Sequence, residues 1–226
     1  MQIKTKLPRV GTTIFSVMSQ LAAQYKAINL GQGFPDFDGP QSLRDALTQA
    51  MNSGKNQYAP MTGIPTLREQ IARKTESLYG HKVSVDNEIT VTSGATEAIF
   101  AAVAAVVHAG EEVIVLDPCY DCYEPAIELA GARAVHIPLT LPDFGVDWQR
   151  VKDAVNARTR LIMINSPHNP SAAVLERADL DALAEIVRGS DIFVLSDEVY
   201  EHIIFDGLEH QSVLRHDELA ARSFVI

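Results

Sequence analysis

The sequence predicts an α/β protein with a mostly parallel sheet flanked by helices. Three observations carry that expectation. From Glu88 onward, short apolar runs alternate with segments of helical periodicity, the pattern of successive βαβ units. Four of the runs are nearly continuous in apolar residues, as strands covered on both faces must be. Small, polar or aromatic groups follow immediately after four of them, where an open α/β sheet binds its ligands.

The elements follow in order. Phe15, Met18, Leu21 and Ala22 recur at helical spacing behind Thr12 or Thr13 as a candidate N-cap. Pro40 can open a helix through Leu43, Ala46, Leu47 and Ala50 that stops near Gly54. Leu67, Ile71 and Leu78 mark a third helix ending at Gly80. The strand candidates are 88–92, 112–116, 133–138, 160–165, 191–196 and 223–226. Helices fit at 95–108, 123–130, 147–156 and 178–188. The helix at 95–108 is apolar nearly all round and is expected to pack deep in the core.

Composition narrows the function classes. With 226 residues, 46% hydrophobic, 21% charged and a formal net charge of −10, the chain is ordinary for a soluble globular protein. It is a poor match to the phosphates of nucleic acid. The longest greasy stretch, 98–107, is too short for a membrane span of roughly 20 helical residues. The N-terminus carries Lys4, Lys6 and Arg9 without an apolar h-region, so no secretory signal is expected. A cytoplasmic location is the expectation. Cys119 and Cys122 form a C-Y-D-C unit, read as two reduced cysteines on a short turn in preference to a redox pair.

The candidate chemistry sits after the strands. Ser93-Gly94-Ala95-Thr96 opens a helix, so free N–H groups, a permissive glycine and two hydroxyls suit a phosphate. A plain helix cap is the alternative. No Walker-type G-x-x-x-x-G-K-[ST] occurs, and Gly31-Gln32-Gly33 has Asp36 where a dinucleotide fingerprint needs its third glycine. Asp197 ends an apolar strand, where a partly buried carboxylate needs a partner: a protonated ring nitrogen, an arginine or a loop. Tyr120 and Tyr200 offer aromatic faces and phenols, or serve as packing. Asn169 reads as a turn residue. Glu198 and His202 are too few for a metal site, and the other histidines show no ligand spacing, so no metal is expected.

Taken together, six stretches resemble the class I/II pyridoxal-phosphate aminotransferases of fold type I. They are NLGQGFPDF at 29–37, NQYAPMTG at 56–63, TSGATEA at 92–98, DPCYDCY at 117–123, PHNP at 167–170 and SDEVY at 196–200. The chain is similar to the N-terminal part of that family, nearest to methionine aminotransferases and kynurenine/glutamine transaminases. The resemblance implies pyridoxal 5'-phosphate as cofactor, amino acid and 2-oxo acid as substrates, and a homodimer. It also implies an N-terminal arm or small-domain segment over 1–40 and an incomplete cofactor-binding large domain over 41–226.

Residue by residue, the resemblance implies that Gly94, Ala95 and Thr96 bind the cofactor phosphate and Tyr120 stacks on its ring. Asn169 and Tyr200 bond the ring's phenolic oxygen, and Asp197 holds the ring nitrogen protonated. Tyr58 reaches the phosphate of a neighbouring subunit. Gly33 meets the substrate carboxylate, and Phe15 walls the side-chain pocket. Two departures stand out. The family's usual Thr-Gly after His-Asn-Pro is Ser171-Ala172 here, and no lysine follows Lys152, so the Schiff-base lysine is absent. The end at Ile226, in or just after an apolar run, is read as a truncation. A carbon–sulfur β-lyase using the same contacts, or an inactive, partly folded fragment, are the alternatives.

Overall fold

A computed structural model describes the chain except residues 1–3, 9 and 34. Three helices come first: α1 (Ile14–Tyr25), α2 (Gln41–Asn52) and α3 (Pro65–Tyr79). Thr13 caps α1 by accepting a hydrogen bond from the Ser16 N–H, which leaves one fewer orphan donor at that end. Pro65 opens α3 at a position that needs no N–H, and Gly80 closes it in the left-handed region. Neither α1 nor α2 buries a residue, and α3 buries only Arg68 and Thr75.

The remaining chain winds a five-stranded parallel sheet in the order β2-β1-β3-β4-β5. Its strands are β1 (Glu112–Asp117), β2 (Arg133–Pro138), β3 (Thr159–Asn165), β4 (Phe193–Asp197) and β5 (Ser223–Val225). Between them run α5 (Tyr123–Leu129), α6 (Trp148–Ala154), α7 (Arg177–Val187) and α8 (Asp217–Ala220). Preceding them is α4 (Ala95–Val106). Strand direction alternates side chains between faces, and both faces are apolar. Ile114, Ile162, Ile164 and Val194 meet α6 and α7 on one side. Val113, Val115, Leu161, Met163 and Leu195 meet α4 and α5 on the other.

Two expectations are corrected. Residues 88–92 form no strand, because none of the five strands pairs with them. The Val91 N–H instead bonds the Thr62 carbonyl at 3.0 Å, and Gly63 lies so close that a Cβ there would come within 2.6 Å of the Val91 side chain. Helix α4 is buried on one face only. Ile99, Ala102 and Val103 pack on the sheet, while Phe100 on the far side is 45% exposed. An all-apolar sequence sets no preference between its faces; the single sheet it lies on supplies cover for one. Among the described residues no helix is long and apolar enough to cross a membrane.

Sheet order reverses between β1 and β3: the chain leaves β1 toward β2 and returns to the other side. Open sheets of this kind bind ligands at such a switch point, beyond the carboxyl ends, where Asp117, Asn165 and Asp197 are the last strand residues.

Candidate functional site

Parallel pairing sets Asn165 beside Asp197. The Asn165 side chain donates to the Asp197 carbonyl at 2.8 Å and accepts the Asn169 N–H at 2.8 Å. One buried amide therefore fixes both the end of β4 and the loop that carries Asn169. Sequence reasoning missed it. The available signal was an amide closing an otherwise apolar strand.

The Asp197 carboxylate is 5% exposed. It accepts the Tyr123 hydroxyl at 2.6 Å and the Val199 N–H at 3.3 Å. Burial raises its pKa above the usual carboxylate range, and these two hydrogen bonds pull the other way. Among the described residues no cation pairs with it. A buried carboxylate with two donors and no counter-charge remains costly to ionise, so this position suits a cationic ligand. Tyr123, quoted within a motif but given no role, is a second residue the sequence reading passed over. Its ring meets that of Tyr120 edge-on, with centroids 6.0 Å apart. Burial also raises the Tyr120 phenol, with Asp121, Cys122, Tyr200 and Asp197 adding smaller pushes in the same direction. Tyr200 and Asp197 thus both lie within electrostatic reach of Tyr120.

Asn169 and Tyr200 line one cavity of about 450 Å³, together with Pro167, His168, Ile203 and Phe205. His168 is buried, which lowers its pKa and keeps the imidazole neutral; Nδ1 lies 2.7 Å from the Ser171 hydroxyl. The Ser171-Ala172 departure has a backbone consequence: Ala172 adopts φ 61°, a conformation that glycine takes without strain.

Gly94 caps α4 at φ 81°, ψ 170°, with open space where a Cβ would stand. The Glu97 carboxylate takes the Ser93 N–H. Among the described residues no side chain caps the N–H groups of Ala95 and Thr96, so the turn retains donors and the positive end of its dipole for an anion. Thr96 is also tied to the site through its contact with the Cys122 thiol. Burial raises the Cys122 pKa to about 11 and that of Cys119 to about 12. Without a metal nearby both favour the thiol form.

Phe15, Gly33 and Tyr58 stand apart. Among the described residues they share no hydrogen bond or ring contact with Asp197, Tyr120 or Tyr123 and do not line the cavity beside Asn169 and Tyr200; Gly33 and Tyr58 are exposed, and Phe15 is half-buried on α1. Glu198 does not meet His202. It is buried, accepting from Ser196 and the Val213 N–H and facing His210 Nε2 at 2.8 Å. His202 lies beside Glu201 instead. Lys74 pairs with Glu201 and Lys82 with Glu76, and Lys152 lies on α6; among the described residues no lysine hydrogen-bonds or ion-pairs with Asp197 or Asn169.

A parallel sheet with an open helix N-terminus and a buried, unpaired carboxylate at its carboxyl edge defines a cofactor-binding α/β domain. The profile of the family "Aminotransferase class I and II" matches residues 25–225, and the chain belongs to that family. Members of this family depend on pyridoxal phosphate, and the sheet is that of their fold type I domain. Methionine aminotransferase of Escherichia coli is 53% identical over 99% of this chain. Kynurenine–oxoglutarate transaminase 3 of Homo sapiens is 33% identical over 98%. Among solved structures, YbdL from Escherichia coli, described as having a methionine aminotransferase function, matches with a TM-score of 0.95 at 52% identity over 100% of this chain and 58% of its own. N-succinyldiaminopimelate aminotransferase from Mycobacterium tuberculosis matches with a TM-score of 0.94 at 42% identity over 99% of this chain and 59% of its own. The chain spans 58% of the Escherichia coli relative's length and 51% of the human one's.

Proposed function

We propose that these residues form the cofactor-gripping part of a pyridoxal-phosphate aminotransferase that moves an amino group between an amino acid, methionine foremost, and a 2-oxo acid. The buried Asp197 carboxylate, lacking any cation among the described residues, carries this reading. The cofactor suits the site: a protonated ring nitrogen supplies the missing charge, and its phosphate suits the open first turn of α4. When bound, pyridoxal phosphate supplies an electron-withdrawing ring that stabilises the substrate carbon as its α-proton leaves.

The chain's own groups then have separate tasks. Asp197 holds a proton at the ring nitrogen, and Tyr123 donates to that carboxylate and keeps it oriented. Gly94, Ala95 and Thr96 bind the phosphate, and Tyr120 covers one ring face. Asn169 and Tyr200 donate to the ring's phenolic oxygen, with Asn165 positioning the Asn169 loop. Phe15 and Gly33 serve the substrate, and Tyr58, fully exposed here, reaches a second copy in a homodimer. Among the described residues no lysine stands beside Asp197 or Asn169 to carry the α-proton.

The full-length protein given methionine and a 2-oxo acid acceptor is expected to release the 2-oxo acid of methionine. Thiol and pyruvate released from cystathionine, without transamination, would replace this reading with β-lysis; neither product overturns it. The 226-residue polypeptide alone, given pyridoxal phosphate, is expected to show no transamination.

A further inference from the structure

A second group of ligand-type side chains lies at the β1–β2 edge, outside every role assigned above. Asp117 closes β1, Cys119 follows one residue past Pro118, and His136 projects from edge strand β2. Parallel register brings the ends of the two strands together. His136 Nδ1 lies 3.0 Å from the Asp117 carboxylate. One donor atom from each of Asp117, Cys119 and His136 lies within 4.8 Å of the other two. On the far side of the imidazole, Nε2 is 3.9 Å from the Glu124 carboxylate, in the first turn of α5. The sequence reading found no ligand spacing among the histidines. Spacing along the chain does not show that β1–β2 pairing brings together groups 19 residues apart.

A sulfur, an imidazole nitrogen and a carboxylate oxygen form a donor set for a borderline-soft divalent cation. Bond lengths of about 2.0–2.3 Å in a tetrahedral site place the donors roughly 3.3–3.6 Å apart, so side-chain adjustments of about an ångström complete the set. Asp117 and His136 are each partly exposed and Cys119 is half-buried, leaving a path for the ion. At 3.9 Å from Nε2, the Glu124 carboxylate lies a small side-chain shift from the hydrogen bond by which an outer carboxylate commonly orients a metal-bound histidine. We propose that Asp117, Cys119 and His136 bind one Zn²⁺, with Glu124 orienting His136 and the fourth position open to water. Magnesium and calcium are disfavoured because two of the three donors are not oxygen. The site requires nothing of the cofactor reading. Because Cys119 directly precedes Tyr120, the ion would also hold the loop that carries this tyrosine.

The test uses the full-length, tag-free holoenzyme, stripped with chelator, freed of unbound cofactor and dialysed against zinc chloride with excess magnesium. One retained zinc per chain is expected. Cys119→Ser and His136→Gln should each weaken retention at least tenfold, and Glu124→Gln about 10-fold, near the low end of outer-carboxylate effects. Cys122→Ser should retain zinc like the parent. In the unaltered protein, cobalt should give a thiolate charge-transfer band, a readout independent of whether any variant folds. No retained zinc, no such band, unchanged retention in Cys119→Ser and His136→Gln, or loss in Cys122→Ser would each overturn the proposal.

Discussion

The sheet and the two leading helices are built from similarly apolar stripes, yet only the sheet buries them. Ile114, Ile162 and Leu195 lie wholly inside, whereas Ile14, Leu43 and Leu47 on α1 and α2 are more exposed than covered. The same division separates the candidate site residues. Asp197, Tyr123, Asn165 and Asn169 are linked by hydrogen bonds at the sheet's carboxyl edge, while among the described residues Phe15, Gly33 and Tyr58 share no hydrogen bond with them. Periodicity specifies that a face is apolar; it does not specify what covers it.

The largest test of that contrast is in the core. Ile162→Ala should destabilise the protein by about 4 kcal/mol, since the site is fully enclosed and cannot collapse around the deletion. Urea denaturation measures this, and a loss below about 1 kcal/mol would mean the sheet is no better packed than the helices.

Next comes Asp197→Asn in the full-length protein, which should lower turnover by ~10²- to 10³-fold, the scale of removing one preorganised electrostatic contact. The same change should raise the stability of the cofactor-free protein at neutral pH. A carboxyl whose pKa is raised on folding favours the native state when protonated, and that advantage is lost as pH rises from its unfolded value through its folded one. An amide has no such loss. Wild-type turnover, or a less stable cofactor-free protein, would contradict the role given to this carboxylate.

Glu112 tests the opposite sign. Hydrogen bonds from Asn156, Arg133 and Arg158 lower its pKa to about 2 from 4.5. Its stabilisation is therefore present above about pH 4.5 and is lost as pH falls toward 2. The arginines that close it off are themselves largely exposed, so solvent screening limits Glu112→Gln to a cost of about 1 kcal/mol at pH 7. Denaturation at pH 7 and pH 3 should show that cost shrinking with acidity.

Two smaller effects sharpen the comparison. Ala172→Gly should stabilise by about 0.5 kcal/mol, relief of the left-handed backbone slightly outweighing the added freedom of the unfolded chain. Leu47→Ala should change the stability of these 226 residues by less than about 0.5 kcal/mol, as expected for an uncovered side chain. A loss several times larger in the full-length protein would show that α2 is covered there.

Strand and helix positions were legible wherever a segment is covered on both sides. The runs at 112–116 and 160–165 became β1 and β3 within a residue at each end, because burial on two faces demands unbroken apolar sequence; the run at 133–138 became the edge strand β2, which is only partly covered. The run at 88–92 looked the same and is not a strand, since a ladder needs a neighbour and local sequence carries no information about one. The site was legible in outline because polar residues at strand ends mark the carboxyl edge of such sheets. Sequence could not show that Tyr123 meets Asp197, 74 residues away, or that Asn165 joins β4 to the Asn169 loop.

The sequence by itself determined the alternation of elements, the apolar strand interiors and the residue types offered at the ligand edge. These depend on the local backbone and on solvent, which each segment meets alone. Strand order, the single buried face of α4, the unpaired burial of Asp197 and the meeting of Asp117, Cys119 and His136 were decided by tertiary structure. They depend on which distant segments are brought side by side.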